Sequence, residues 1–285
     1  TLFPYTTLFR SLNGIPVLLP DTFPDDRSTD GSDPLDTPTL VQKAFSELSP
    51  IYEETVEREL RTFWGMTYDT FIMKFLSLIE PLHPLRILDC ATGTGRIPLH
   101  LTERMKLDAR MIIGLDVTLP MLERAAENLE SASVISGTNE LPGLVCASAT
   151  SIPFPDNSFD MVTCALAPHH MDAQRFTDEA YRVLAPGGLF LMADVGASSF
   201  WKNFSGKLIL RLLLFFYTLG QSSERVRAEA EAFDSLLTGN EWKELLLNKG
   251  FHGIELFTIK ARLPIFPDGI HLRALKPQSV PPDTA

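Results

Sequence analysis

The stretch that most constrains the chain runs from Arg86 to Leu101, R-I-L-D-C-A-T-G-T-G-R-I-P-L-H-L. Apolar Ile87 and Leu88 lead to Asp89, a small-residue loop Ala91-Thr92-Gly93-Thr94-Gly95 follows, and apolar residues recur at Ile97, Leu99 and Leu101. This pattern predicts a strand, a tight glycine turn and a helix. Gly93 and Gly95 lack a Cβ, so the backbone there can take positive φ and approach a ligand closely. The start of the helix offers unpaired N–H groups to that ligand. A dinucleotide fingerprint has Gly or Ala three residues after the second glycine, and Pro98 stands at that place. Proline is tolerated in a helix's first turn, but its presence separates this loop from the usual pyrophosphate cradle. A second apolar run, Met111 to Leu115, ends at Asp116, a carboxylate placed to accept both hydroxyls of a ribose diol.

Four stretches occur in order between Arg86 and Asp194: I-L-D-C-A-T-G-T-G, I-I-G-L-D-V, S-I-P-F-P-D-N-S-F-D-M-V and Y-R-V-L-A-P-G-G-L-F-L. Through them the chain resembles the class I S-adenosylmethionine-dependent methyltransferases. Within that family it is most similar to the ubiquinone/menaquinone-biosynthesis C-methyltransferase group, methyltransferase domain type 11. The resemblance implies an α/β fold: a Rossmann-like, doubly wound, seven-stranded, mostly parallel sheet with an antiparallel edge hairpin. It implies N-terminal helices over 39–84, a cofactor-binding core over 85–194, a helical lid or substrate region over 195–250 and terminal strands over 251–276.

The resemblance also implies an enzyme that moves a methyl group from S-adenosylmethionine to a small-molecule acceptor. By that resemblance, Asp89, Ala91, Gly93 and Gly95 frame the methionine end of the cofactor, with Thr92 and Thr94 in the same loop. Asp116 holds the ribose diol, Val117 lies beside the adenine, and Met121 joins the cofactor site. Ala149 offers backbone to the adenine edge with Ser148 beside it, and Ala165 and Leu166 line the floor below the sulfonium. The family usually carries Asp where Ser148 stands, and a hydroxyl meets an amino group more weakly than a carboxylate does. The segment A-F-S-E-L-S-P-I-Y-E-E resembles the family's N-terminal piece that lies over the cofactor. Tyr52 in it is expected either to shield the sulfonium by a cation–π contact or to pack a helix pair with Trp64.

His169 and His170 follow the fourth predicted strand of the core and are the candidate general bases, since imidazole can take a proton near neutral pH. The alternative for both is packing or loop hydrogen bonding. His83, His100, His252 and His271 read as structural or exposed.

A net charge of −11 excludes nucleic acid as the main partner and disfavours docking on anionic lipid. Lys207 to Leu219 is apolar apart from Arg211 within it, and is too short to span a bilayer. It reads as a buried lid helix, or as a surface touching a greasy substrate or membrane interface. That favours an apolar acceptor of quinone, lipid or polyketide type. The three cysteines, Cys90, Cys146 and Cys164, form no CxxC pair. They are expected to be free thiols of a cytoplasmic, reducing setting, with no metal site.

Thr1 to Ser11 resembles a translated sequencing-library adapter and is set aside from fold reasoning. Leu12 to Pro38, rich in Pro, Asp, Ser, Thr and Gly, is expected to be a disordered or poorly packed leader, and 277–285 a frayed tail. Two other functions fit parts of the pattern. One is a non-catalytic cofactor-binding protein of regulatory or assembly type. The other is a dinucleotide-dependent oxidoreductase, against which Pro98 speaks.

Overall fold

The computed structural model describes residues 10–19, 38–79, 85–103, 109–136, 141–197, 232 and 236–278. Ile87 and Leu88 are sequence neighbours, both fully buried, and they pack into separate apolar clusters on opposite faces of one strand. Leu189, Phe190, Leu191 and Met192 alternate between the same two clusters. Strands buried on both faces in this way belong to a sheet covered on both sides.

Five strands of that sheet are parallel: β3 (Leu85–Cys90), β4 (Ala109–Asp116), β5 (Gly143–Cys146), β6 (Phe159–Ala165) and β7 (Leu184–Gly196). They stand in the order β5-β4-β3-β6-β7. An antiparallel pair, β8 (His252–Ile259) and β9 (Asp268–Leu275), extends the sheet beyond β7 through β9. From β3 the chain moves outward to β4 and β5, then returns to place β6 on β3's other side. This reversal opens a crevice outside the carboxyl ends of β3 and β6, where open α/β sheets take their ligands.

On one face lie α6 (Ala173–Val183) and α7 (Gly239–Lys249), which bring Phe176, Trp242 and Leu246 against Leu88 and Phe190. On the other lie α2 (Tyr52–Phe63), α3 (Tyr68–Leu76) and α4 (Arg96–Glu103), which bring Leu60, Phe71, Phe75 and Leu101 against Ile87 and Leu191. Two further helices, α1 (Pro38–Leu48) and α5 (Leu119–Ser136), complete the described helical framework. Side chains mark the helix starts. Thr67 accepts from the Thr70 N–H, Asp172 from the Arg175 N–H, and Thr238 forms a reciprocal capping box with Glu241. Each such cap contributes about 1 kcal/mol.

Among the described residues the sheet has nine strands, against the seven expected. The extra pair is β1 (Arg10–Leu12) and β2 (Ile15–Val17), an antiparallel hairpin whose second strand runs parallel to β5. β2 falls within the leader expected to be disordered or poorly packed, and β1 begins inside the stretch set aside as adapter-like. Asn13 and Gly14, at φ 50° and 80°, form its two-residue turn, the residue pair that primed hairpin turns favour. Ile15 is buried against Leu122 and Cys146, which anchors the hairpin to the sheet edge. Pro186-Gly187-Gly188 interrupts the apolar run on its way into the sheet. β7 runs through it, with a register irregularity between Phe159 and Met161 on β6, and Gly187 at φ 79° absorbs the bend.

The apolar run Lys207 to Leu219 and the leader over 20–37 lie outside the described residues. Among the described residues no helix is long and apolar enough to cross a membrane.

Gly114 sits in the middle of β4 under the glycine loop. A Cβ there would lie 2.8 Å from Thr92 Oγ1, 2.9 Å from its Cγ2 and 3.1 Å from Leu144 Cδ2. Gly114→Ala is expected to cost about 1–3 kcal/mol of stability through this overpacking. Urea denaturation checks it, and an unchanged midpoint would contradict the packing described.

Candidate active site

The loop after β3 is shaped from beneath. Asp89, fully buried at the end of β3, accepts hydrogen bonds from Thr92 Oγ1 and Thr163 Oγ1, each at 2.7 Å. Burial pushes its carboxyl up from 3.8 to about 7, against the lowering effect of the two hydroxyls. Ala91, Gly93 and Gly95 all take positive φ, at 53°, 54° and 79°. At Gly95 a Cβ would lie 3.0 Å from the Cβ of Ala125, so this glycine is where α4's start meets α5 closely. Leu166, just past β6, is also left-handed at φ 57°. Two non-glycine residues in this conformation at one sheet edge mark strain of the kind that collects at functional sites.

Asp116 ends β4 beside the loop. Its Oδ2 accepts from the Gly93 N–H and its Oδ1 from the Thr118 N–H, both at 2.8 Å. Burial raises its carboxyl above the ordinary range, and those backbone donors oppose the rise. The Thr118 hydroxyl and the Val117 N–H also donate to this carboxylate.

Asp116 and Gly93 line a cavity of about 100 Å³ at the carboxyl edge of the sheet. Its walls include Ala91, Val117, Met121, Ser148, Ala149, Leu166 and His170. Tyr52, Phe45 and Val41 come to it from the N-terminal helices. Three ties hold those helices over the crevice. Gln42 Nε2 donates to the Val117 carbonyl at 2.9 Å. Glu53 Oε1 accepts from Thr94 Oγ1 at 3.0 Å and from Asn128 Nδ2 at 3.1 Å. The hydroxyls of Tyr52 and Tyr68 share a hydrogen bond, and burial pushes the Tyr52 hydroxyl well above its ordinary value.

Nine of the expected cofactor residues thus meet at one cavity: Tyr52, Ala91, Gly93, Asp116, Val117, Met121, Ser148, Ala149 and Leu166. Asp89, Thr92, Thr94, Gly95 and Ala165 are not in its lining. Asp89 and Thr92 are bonded to each other, Thr94 is bonded to Glu53, and Ala165 packs against the core on the α2–α4 face. Ser148 Oγ lies 2.8 Å from Thr150 Oγ1, and Thr150 lines the cavity too. Val41, Phe45, Thr118, Thr150 and Met171 are lining residues that sequence reasoning did not single out. Phe45 carried a signal, since it lies in the same segment as Tyr52.

The two histidines separate. His170 lines the cavity, with its ring edge-on to Phe45 at 5.0 Å. His169 turns to β7, where its Nδ1 lies 2.6 Å from Asp194 Oδ1. Cys90, Cys146 and Cys164 are free and buried, and no cluster able to hold a metal ion occurs among the described residues.

Residues 88–192 match the family model described as methyltransferase domain. A ubiquinone/menaquinone biosynthesis C-methyltransferase UbiE of Geotalea daltonii is 31% identical over 180 residues, covering 63% of this chain and 70% of that protein. The chain belongs to the class I S-adenosylmethionine-dependent methyltransferases. A demethylmenaquinone methyltransferase of Thermus thermophilus is 38% identical over 112 residues. That match covers 39% of this chain and about half of the relative, 47%. The fold is shared with a phosphoethanolamine N-methyltransferase of Haemonchus contortus solved with S-adenosylhomocysteine. The TM-score is 0.57 at 18% identity, covering 82% of this chain and 60% of that one.

The family's cofactor is S-adenosylmethionine, and the cavity fits it on its own chemistry. Asp116 brings a carboxylate to the cavity wall, a Cβ at Gly93 would meet only the Tyr52 ring at 3.8 Å, and Val117, Met121 and Leu166 supply apolar wall.

Asp89 also makes a pH prediction. Its folded value near 7 lies above its ordinary value, so between about pH 4 and 7 the folded chain holds a proton that the unfolded chain has lost. Its contribution to stability is therefore present at low pH and is lost as pH rises through 7. Relative to Asp89→Asn, the wild-type chain should lose stability between pH 5 and pH 8 in paired urea titrations. A difference that does not change with pH would contradict the burial effect.

Proposed function

We propose that this methyltransferase acts on an apolar, ring-bearing small molecule of quinone-like class. The observation that carries the reading is the juxtaposition of Asp116, its oxygens braced by the Gly93 and Thr118 N–H groups, with the open apolar cavity beside it. Bound S-adenosylmethionine supplies an activated methyl group on a sulfonium. The chain's residues then have to bind, orient and keep water away.

In this reading Asp116 takes the ribose diol. Val117, Met121, Ser148 and Ala149 surround the adenine. Ala91, Gly93 and Leu166 border the methionine end, and the Tyr52 ring covers the sulfonium by a cation–π contact. Asp89, Thr92, Thr94, Gly95 and Ala165 act from behind, setting the shape of the loop and strand ends. The acceptor class is supported by two kinds of observation. The relatives are named for demethylmenaquinone and for ubiquinone/menaquinone biosynthesis. The same cavity also carries the apolar side chains of Val41, Phe45 and Met171, and the sequence adds the apolar run Lys207 to Leu219. Buried free thiols fit a reducing compartment, and we place the protein in the cytoplasm on that ground.

Calorimetric titration with S-adenosylhomocysteine tests the cofactor assignment. Asp116→Ala should weaken binding at least about tenfold, the loss of charge-assisted hydrogen bonds. Unchanged affinity would move the ribose elsewhere. For the acceptor, turnover should appear on ring-hydroxylated, apolar compounds, and turnover confined to small polar acceptors would overturn the class.

A further inference from the structure

Tyr52 faces the glycine loop from the first position of α2. Gly93, left-handed at φ 54°, has the Tyr52 ring across from its missing side chain, and both line the cavity. The residue before the ring gives it little support. Ile51 stands at the N-cap of α2 and makes no side-chain hydrogen bond to the helix. The direction of the Tyr52 ring therefore has to be set from elsewhere.

The next residue sets it. Glu53 Oε1 accepts from Thr94 Oγ1 at 3.0 Å and from Asn128 Nδ2 at 3.1 Å. Asn128 Nδ2 also donates to the Thr94 carbonyl at 3.0 Å. These bonds close a triangle whose corners belong to α2, the glycine loop and α5. On its other side Glu53 Oε2 lies 3.7 Å from Arg96 Nη2. The Arg96 guanidinium in turn lies 5.5 Å from the centre of the Tyr68 ring on α3. A side chain bonded to two other elements fixes its own stretch of backbone, and with it the neighbouring ring.

Such a fixed ring has a use that depends on ligand charge. An aromatic face attracts a cation that stands within about 6 Å of its centre. S-adenosylmethionine carries a positive sulfonium, and S-adenosylhomocysteine carries a neutral thioether in the same place. We infer that the Glu53–Thr94–Asn128 triangle lets the site tell the charged cofactor from its neutral product, with Glu53 the positioning residue that sets the Tyr52 ring over the sulfonium. The inference rests on the methyltransferase reading above and on its placement of Tyr52. When the methyl group leaves, the carbon–sulfur electron pair stays on sulfur, which becomes neutral. The ring then loses its hold, and exchange of product for fresh cofactor is favoured.

The test measures the dissociation constants of S-adenosylmethionine and S-adenosylhomocysteine by calorimetric titration of the full chain, without acceptor. The readout is their ratio, which a loss common to both ligands does not move. Tyr52→Leu removes the ring and should shift the ratio toward the neutral ligand by about 2- to 30-fold, the span of a cation–π contact from exposed to desolvated. Glu53→Ala should produce a comparable shift with the ring still present. Added to Tyr52→Leu, it should shift the ratio no further, because its effect runs through the ring. Glu53→Gln drops the charge but keeps an oxygen to accept from Thr94 and Asn128, so it should restore the wild-type ratio. Asn128→Ala opens the triangle from α5 and should shift the ratio in the same direction, which keeps the question answerable if Glu53→Ala does not fold. Equal weakening of both ligands in Glu53→Ala would reduce the triangle to a structural tie and overturn the inference. A shift in Glu53→Gln as large as in Glu53→Ala would assign the effect to direct attraction by the carboxylate, and would overturn the positioning role. If Tyr52→Leu leaves the ratio unchanged, the inference falls while the cofactor assignment stands. If the wild type binds neither ligand, the methyltransferase reading itself falls.

Discussion

A single buried carboxylate underlies the geometry of the whole site. Asp89 lies at the end of the central strand with no exposed surface, and two hydroxyls, of Thr92 and Thr163, satisfy it. A buried carboxylate is costly without such partners. The Thr92 bond bends the chain back under itself directly after β3. That bend is what turns Ala91, Gly93 and Gly95 left-handed and presents the Gly93 N–H to Asp116. The absent side chain of Gly114 leaves room for Thr92. Asp89 shapes the cavity without lining it.

Above that floor the N-terminal helices form a roof held by polar ties as well as by packing. Glu53 bridges α2 to the glycine loop and to α5 through Thr94 and Asn128. Gln42 ties α1 to the carbonyl just past Asp116. Both the loop and the roof therefore register on the same few backbone groups. A change in the loop on ligand binding has a direct mechanical route to α1 and α2, and to Tyr52 and Phe45 on them.

Much of this was legible in the sequence because it is local. The strand, loop and helix of Arg86 to Leu101 follow from apolar spacing and two glycines, and Asp116 follows from a run that ends in one acid. What escaped depends on distant partners. The acid of Asp89 is plain in the sequence, but its hydrogen bond from Thr163, 74 residues away, is not. His169 and His170 are indistinguishable in sequence, and the difference between them lies in Asp194 on another strand. The hairpin of β1 and β2 is a different case. Its Asn13-Gly14 turn was visible, but the Pro- and Asp-rich composition beyond it outweighed a strand only three residues long.

The central claim is that Asp116, the glycine loop and the roof of α1 and α2 together enclose the cofactor. A crystal structure of the chain with S-adenosylhomocysteine tests it most directly. The ribose hydroxyls should lie on Asp116, the methionine end against Ala91 and Gly93, and the Tyr52 ring over the sulfur. A ligand seated elsewhere, or one bound with its ribose away from Asp116, would contradict the account.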